Sequence, residues 1–261
     1  MIRLVLLVVT AVLAGCAAPD QPKQQNVPAR TAGTTESPAV ERAKIHTELG
    51  VSYYQNGQLG VALEELHTAV NADRSYAPAY DALALVYMEL KEDAQAEANF
   101  RQSLKMNPNS SETRNNYGLF LCQRGREKEG LRQLLDALKN PLYQTPDVAY
   151  KNAGVCARKL GDNKAAEGYF QRAVKLNPNQ AQAWFGLAEV AYARDDWPAA
   201  KEYLGRYTAL VENPGPEGLW LGARIEHRLG DRTALANYGM QLQRRFPSSR
   251  ETKAYLDGRF E

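Results

Sequence analysis

The chain has 261 residues, 44% of them apolar, with 32 Lys and Arg against 30 Asp and Glu. That much apolar material can bury a sizeable core. The formal net charge of +2 leaves no basic footprint of the kind nucleic acid demands, which argues against a nucleic-acid partner.

Residues 1–15 read as an export signal that lies outside the fold. Arg3 precedes an eleven-residue apolar run, Leu4 to Ala14, too short for the ~20 residues a membrane-spanning helix needs. The run ends in Leu13-Ala14-Gly15-Cys16, which resembles a bacterial lipobox. In that motif small residues admit the signal peptidase, and the thiol of Cys16 receives a diacylglycerol, so that palmitate-type acyl chains hold the protein to a bilayer. The plainer alternative is a secretory signal cut near Ala17 or Ala18. No aspartate follows Cys16 to resemble the inner-membrane retention signal, so the expected address is the cell outer membrane, lipid-anchored on its periplasmic face. The lipidated Cys16 and the stretch to Val40 form an expected flexible tether, residues 16–40, with Pro19, Pro22, Pro28 and Pro38 among Gln, Thr, Ser and Asn. Its 24 residues from Ala17 to Val40 give an average reach of about 27 Å.

From Glu41 to Glu261 the chain repeats itself. Leu49-Gly50, Tyr53, Gly57, Ala62, Leu66 and Ala69 are answered by Leu83-Ala84, Tyr87, Lys91, Ala96, Phe100 and Ser103, and then by Tyr117-Gly118, Leu121, Gly125, Gly130, Leu134 and Ala137. Three more copies follow, and the successive steps are 34, 34, 36, 34 and 34 residues. The fourth copy, Asp147 to Pro178, is the plainest. Tyr150, Ala153, Gly154 and Ala157 share one face of a predicted helix; Gly161-Asp162 breaks it; Ala165, Ala166, Tyr169, Phe170, Ala173, Val174 and Leu176 form the stripe of a second helix that Asn177-Pro178 stops. Gly154 and Ala166 allow the two helices to approach closely, with Phe170 filling the groove beside them.

This period and these anchors resemble the tetratricopeptide repeat. A hairpin of this size cannot bury both its flanks, so the expected fold is all-α: a right-handed superhelical solenoid of six helix pairs plus a C-terminal capping helix. Turns are expected at Asn56-Gly57, Asn107-Pro108, Gly125, Gly161-Asp162, Asn177-Pro178, Asn213-Pro214 and Gly230-Asp231. Two places depart from the pattern: Arg74 stands where the first repeat should end in proline, and the run Asn140 to Pro146 carries the two extra residues of the third. After Phe246-Pro247, Ser248 is expected to cap a short last helix containing Ala254, Tyr255 and Leu256.

No pattern for chemistry stands out. His46, His67 and His227 fall in different repeats without metal-ligand spacing, and no phosphate loop or nucleophile elbow is present. Asp195-Asp196 reads as a turn, and most of the tyrosines fall on packing positions. The sequence therefore predicts no enzyme, no cofactor, no metal site and no small-molecule substrate. Cys122 and Cys156 lie on the first helices of adjacent repeats, which run side by side, so a disulfide between them is expected in an oxidising periplasm, with two buried thiols as the alternative.

Binding belongs on the concave wall made by the first helix of each repeat. The residues there that packing does not claim are Tyr54, Leu85, Met88, Asn115, Leu119, Lys151, Val155, Phe185, Glu189 and Tyr192. Asn116 and Asn152 occupy equivalent places in adjacent repeats, where paired amides left free by packing can hydrogen-bond a peptide backbone, with ordinary helix-surface asparagines as the alternative. Lys151 and Arg158 alone make too weak a basic clamp for a carboxylate.

The lipobox, the tether, the six repeats, the string Asn115-Asn116-Tyr117-Gly118 and the string Tyr238-Gly239-Met240-Gln241-Leu242 before Phe246-Pro247 together resemble the PilF/PilW type IV pilus biogenesis lipoproteins. The resemblance implies a pilotin, an outer-membrane lipoprotein that helps the pilus secretin subunit reach the membrane and multimerise. The alternatives are a tetratricopeptide lipoprotein serving a cell-wall synthase or outer-membrane barrel assembly, and a hydrolase hidden in the groove, which the lack of a paired nucleophile and base disfavours.

Overall fold

The computed structural model describes residues 36–261, and every regular element among them is a helix. The signal, Cys16 and most of the tether lie outside the described residues. In chain order the helices are α1 (Pro38–Gln55), α2 (Leu59–Ala72), α3 (Ala77–Glu89), α4 (Asp93–Met106), α5 (Ser111–Gln123), α6 (Glu127–Ala137), α7 (Pro146–Lys159), α8 (Asn163–Leu176), α9 (Ala181–Ala193), α10 (Trp197–Leu210), α11 (Pro216–Leu229), α12 (Arg232–Arg245) and α13 (Arg250–Leu256). They form six antiparallel hairpins and a thirteenth, unpaired helix at the C-terminal end.

The hairpins close on a small residue facing a large one. A Cβ added to Gly154 would lie 2.5 Å from Cε1 of Phe170, and one added to Gly118 would lie 2.7 Å from Cγ of Leu134. Phe170 is fully buried and also abuts Gly186 of the next hairpin, so one ring serves two repeats. The core accordingly runs as a file of clusters, each drawn from one hairpin and the inner helix that follows. Ala84, Ala96, Phe100, Tyr117 and Phe120 make one such cluster; Ala166, Phe170, Leu187 and Val190 make another.

Curvature follows from which helices touch. The first helices of the hairpins pack against one another in order, α1 on α3, α3 on α5, α5 on α7, α7 on α9 and α9 on α11, whereas the described second helices never pack against each other. A stack held close on one side and spread on the other must bend toward the close side. The first helices therefore form the concave wall.

Each hairpin turns at one residue of positive φ: Gly57, Lys91, Gly125, Gly161, Asp195 and Gly230. Lys91 and Asp195 show that repeat position dictates the left-handed backbone even where the residue is not glycine. Two boundaries differ from the sequence reading. The first helix begins at Pro38 with the Ser37 side chain accepting from the Val40 amide, three residues before the expected Glu41, because Ser-Pro is a helix start and not tether. The last helix is capped by Ser249 and not Ser248.

These packing and turn positions set stabilities that can be read directly. Gly154→Ala should cost about 1–3 kcal/mol by pressing on the Phe170 ring, whereas Lys91→Gly should gain up to about 1 kcal/mol by relieving the left-handed backbone. Opposite shifts of the denaturant midpoint from the parent protein are the expected outcome.

Candidate functional site

The inner helices α3, α5 and α7 are linked by a run of polar side chains. Asn152 on α7 donates through Nδ2 to Oδ1 of Asn115 on α5 at 2.9 Å; Asn115 donates to Oδ1 of Asn116 at 3.3 Å; Asn116 donates to Oδ2 of Asp81 on α3 at 2.9 Å. Every donor points the same way, and the relay ends on a carboxylate. This overturns the expectation of free amides: Asn115 and Asn152 are buried and spend their side chains on each other, while Asn116 is committed to Asp81. Oδ1 of Asp81 and Oδ1 of Asn152 are sealed from solvent without a hydrogen-bond partner. Burial pushes the Asp81 carboxyl up to about 6, against the opposing hydrogen bond from Asn116.

The same α5–α7 junction carries the cysteines. Cys122 and Cys156 are joined as a disulfide with Cα atoms 5.6 Å apart, and Nζ of Lys159 donates to the Cys122 carbonyl at 3.1 Å. This is the step that follows the two-residue insertion in the loop before α7.

The remaining wall residues divide between two hollows and the packing around them. Tyr54 and Leu85 line a small apolar hollow of about 120 Å³ between α1 and α3, and burial, then the charge of Glu89, raises the Tyr54 phenol. Met88 packs beside the Phe100 cluster, Val155 beside the Phe170 cluster, and Leu119 is half-buried on α5. Lys151 is held below the usual lysine range by burial, which Asp147 partly offsets.

Phe185, Glu189 and Tyr192 line a larger cleft of about 570 Å³ at the C-terminal end of the wall. Phe185 lies 5.1 Å from the Tyr207 ring, and Glu189 meets Arg158 at 3.1 Å. Burial raises the Glu189 carboxyl even so, opposed by Arg158 and Arg224. Tyr192 is buried, contrary to its expected freedom, with the Arg224 guanidinium 4.1 Å above its ring.

Residues beyond the expected set complete this cleft. Glu217, Trp220 and Arg224 come from α11, Arg250 and Glu251 from α13, and Arg259 from the segment beyond it. Four arginines thus face three glutamates, a more basic wall than Lys151 and Arg158 alone suggested. Trp220, Arg224 and His227 recur at spacings of four and three along α11, a pattern readable as one face, but what makes that face part of the cleft is the shortness of α13.

The tetratricopeptide-repeat family profiles match residues 77–110 and 153–215. The chain is 30% identical over 217 residues to the type IV pilus assembly protein PilF of Pseudomonas aeruginosa, covering 82% of this chain and 85% of that one. The crystal structure of PilW, a type IV pilus biogenesis factor, superposes with a TM-score of 0.77 at 33% identity, covering 82% of this chain and 98% of PilW. The Pseudomonas aeruginosa PilF structure superposes with a TM-score of 0.78 at 28% identity over 85% of this chain and 99% of PilF.

The chain belongs to the PilF/PilW family of type IV pilus biogenesis proteins. Within this PilF/PilW fold the two strings that carried the resemblance have structural places. Asn115, Asn116, Tyr117 and Gly118 supply the middle of the amide relay and a hairpin closure, and Tyr238 fills the space that Gly222 leaves on α11.

Folding raises the Asp81 pKa, so the folded state binds that proton more tightly than the unfolded chain. Stability from this group is full below about pH 4 and falls as pH rises toward the folded value of about 6. Asp81→Asn keeps an acceptor for Asn116 and has no charge to bury. It should be more stable than the parent by up to about 3 kcal/mol at pH 7, with the gap closing by about pH 4 in urea melts across that range.

Proposed function

We propose that this protein is an outer-membrane lipoprotein pilotin, which holds a segment of the type IV pilus secretin subunit in its concave wall and delivers the subunit to the membrane for multimerisation. The observation that carries this reading is the 30% identity to PilF over 85% of that protein, which spans the whole stack and not one generic repeat. The lipobox at Cys16 supports the anchor, and the Pro-rich stretch after it supports a reach of tens of ångströms between lipid and solenoid.

The mechanism is physical. A wall of half-buried apolar side chains, Leu85, Leu119, Val155 and Phe185, offers an extended segment a surface to cover, and the flanking charges limit the orientations it can take. Tethering that wall to the membrane converts an encounter in solution into one on a surface, which raises the effective concentration of secretin subunits there without chemistry.

The wall is tested by Leu119→Glu and Phe185→Glu. Both should reduce capture of secretin from solubilised membranes by tenfold or more while the helical circular dichroism of the protein persists. Undiminished capture by both variants rejects the concave wall as the interface.

The anchor is tested separately. Cys16→Ser should move the protein from the outer-membrane fraction to the soluble periplasmic fraction and reduce the ladder of secretin multimers. Retention of the variant in the outer membrane would remove lipidation from the account.

A further inference from the structure

The six inner helices have 13 to 18 residues, whereas the cap α13, which should cover the last of them, has seven. Two turns of cap are missing. The outer half of α11 is covered instead by the segment that follows α13. Gly258, at φ 69°, turns the chain back, and the Phe260 ring lies 4.3 Å from His227 and 5.4 Å from Trp220, stacked on both, with Tyr255 edge-on at 5.8 Å. The Tyr192 hydroxyl donates to the Phe260 carbonyl at 3.3 Å. Arg228, one residue beyond His227, is held more firmly protonated than a free arginine, first by Tyr192.

This arrangement is that of a peptide in a groove. An extended segment presents one aromatic ring to an aromatic slot and one carbonyl to a fixed donor. The wall beneath it is the C-terminal end of the same cleft that Phe185 and Glu189 line, and Arg259 forms part of the rim.

We propose that this end of the concave wall recognises an extended protein segment that presents an aromatic residue, and that residues 258–261 fill the seat in cis until such a segment displaces them. The proposal rests on the reading of the concave wall as the partner-binding surface and adds the chemistry of the segment it takes. Occupation in cis sets a threshold: a competing segment must overcome an effective concentration on the order of millimolar before it binds.

The test uses the full chain and an acetylated, fluorescently labelled peptide of residues 256–261. Gly258→Val leaves the seat untouched, because no atom lies within 4 Å of a Cβ there, but strains the turn that returns Phe260 to it. Phe260→Ala empties the seat directly. Both variants should bind the peptide about tenfold more tightly than the parent, by fluorescence anisotropy. The same peptide carrying Phe260→Ala should not bind either variant.

Peptide affinity that is equally weak for the parent and for both variants, with the helical circular dichroism retained, would make the segment a cap and nothing more, and would overturn the proposal. So would binding that survives loss of the aromatic ring from the peptide. Because no secretin enters this measurement, its outcome is independent of the capture experiment on Leu119→Glu and Phe185→Glu.

Discussion

The distance between the two helices of a hairpin depends on a small residue meeting a large one sixteen positions later. Gly50 faces Leu66, Gly118 faces Leu134, Gly154 faces Phe170 and Gly222 faces Tyr238. A methyl group at any of these glycines would force the helices apart or the large side chain aside. The large residue also reaches the following hairpin, as Phe170 does at Gly186, so the spacing within a repeat and the spacing between repeats are set by the same side chain. That coupling makes the period hard to vary. An insertion of two residues is tolerated only in the loop before α7, outside the stretch that must keep register.

From that spacing comes a wall whose helices are close enough for side chains to bridge them. At α5 and α7 the bridge is threefold: the amide pair Asn152 and Asn115, the disulfide Cys122–Cys156, and Lys159 on the Cys122 carbonyl. The junction with the longest loop behind it has the most cross-links across it. A disulfide closing a loop of this length removes about 4 kcal/mol of unfolded-chain entropy, which offsets part of the cost of ordering the extra residues. The amide relay is a different kind of constraint. Buried amides leave only one rotation of α5 that satisfies both neighbours, so they select a register at some expense in stability.

What could be read from the sequence is what repeats. Hairpin closures, turns and the cap each depend on residues within one 34-residue unit, and six copies reinforce the pattern. Even Lys91 and Asp195 could be assigned to turns by position, although neither residue favours a positive φ. The helix start at Pro38 was legible too, as Ser37 followed by proline, but the prolines upstream drew it into the tether. The site was less legible for a physical reason. Whether Asn115 faces open groove or a neighbouring amide is decided by the rotation of α5 between α3 and α7, and no property of α5 alone fixes that rotation. The helix position of Tyr192 predicts a free surface, but Arg224 and Phe260 cover it from elements 30 to 70 residues away.

The two ends of the stack are therefore unlike. At the N-terminal end no hairpin precedes α1 among the described residues, and Ile45 and Leu49, one turn apart, remain 48% and 42% exposed. At the C-terminal end a short helix and a folded-back segment cover most of what a seventh hairpin would have covered. A solenoid needs its last apolar face closed to remain soluble, and a full helix would do this most stably. Here half of that face is closed by one ring on a hinge of positive φ, held by ring stacking and by the bond from the Tyr192 hydroxyl to the Phe260 carbonyl. That closure lies beside the cleft lined by Phe185 and Glu189, where a partner's segment gains by replacing it.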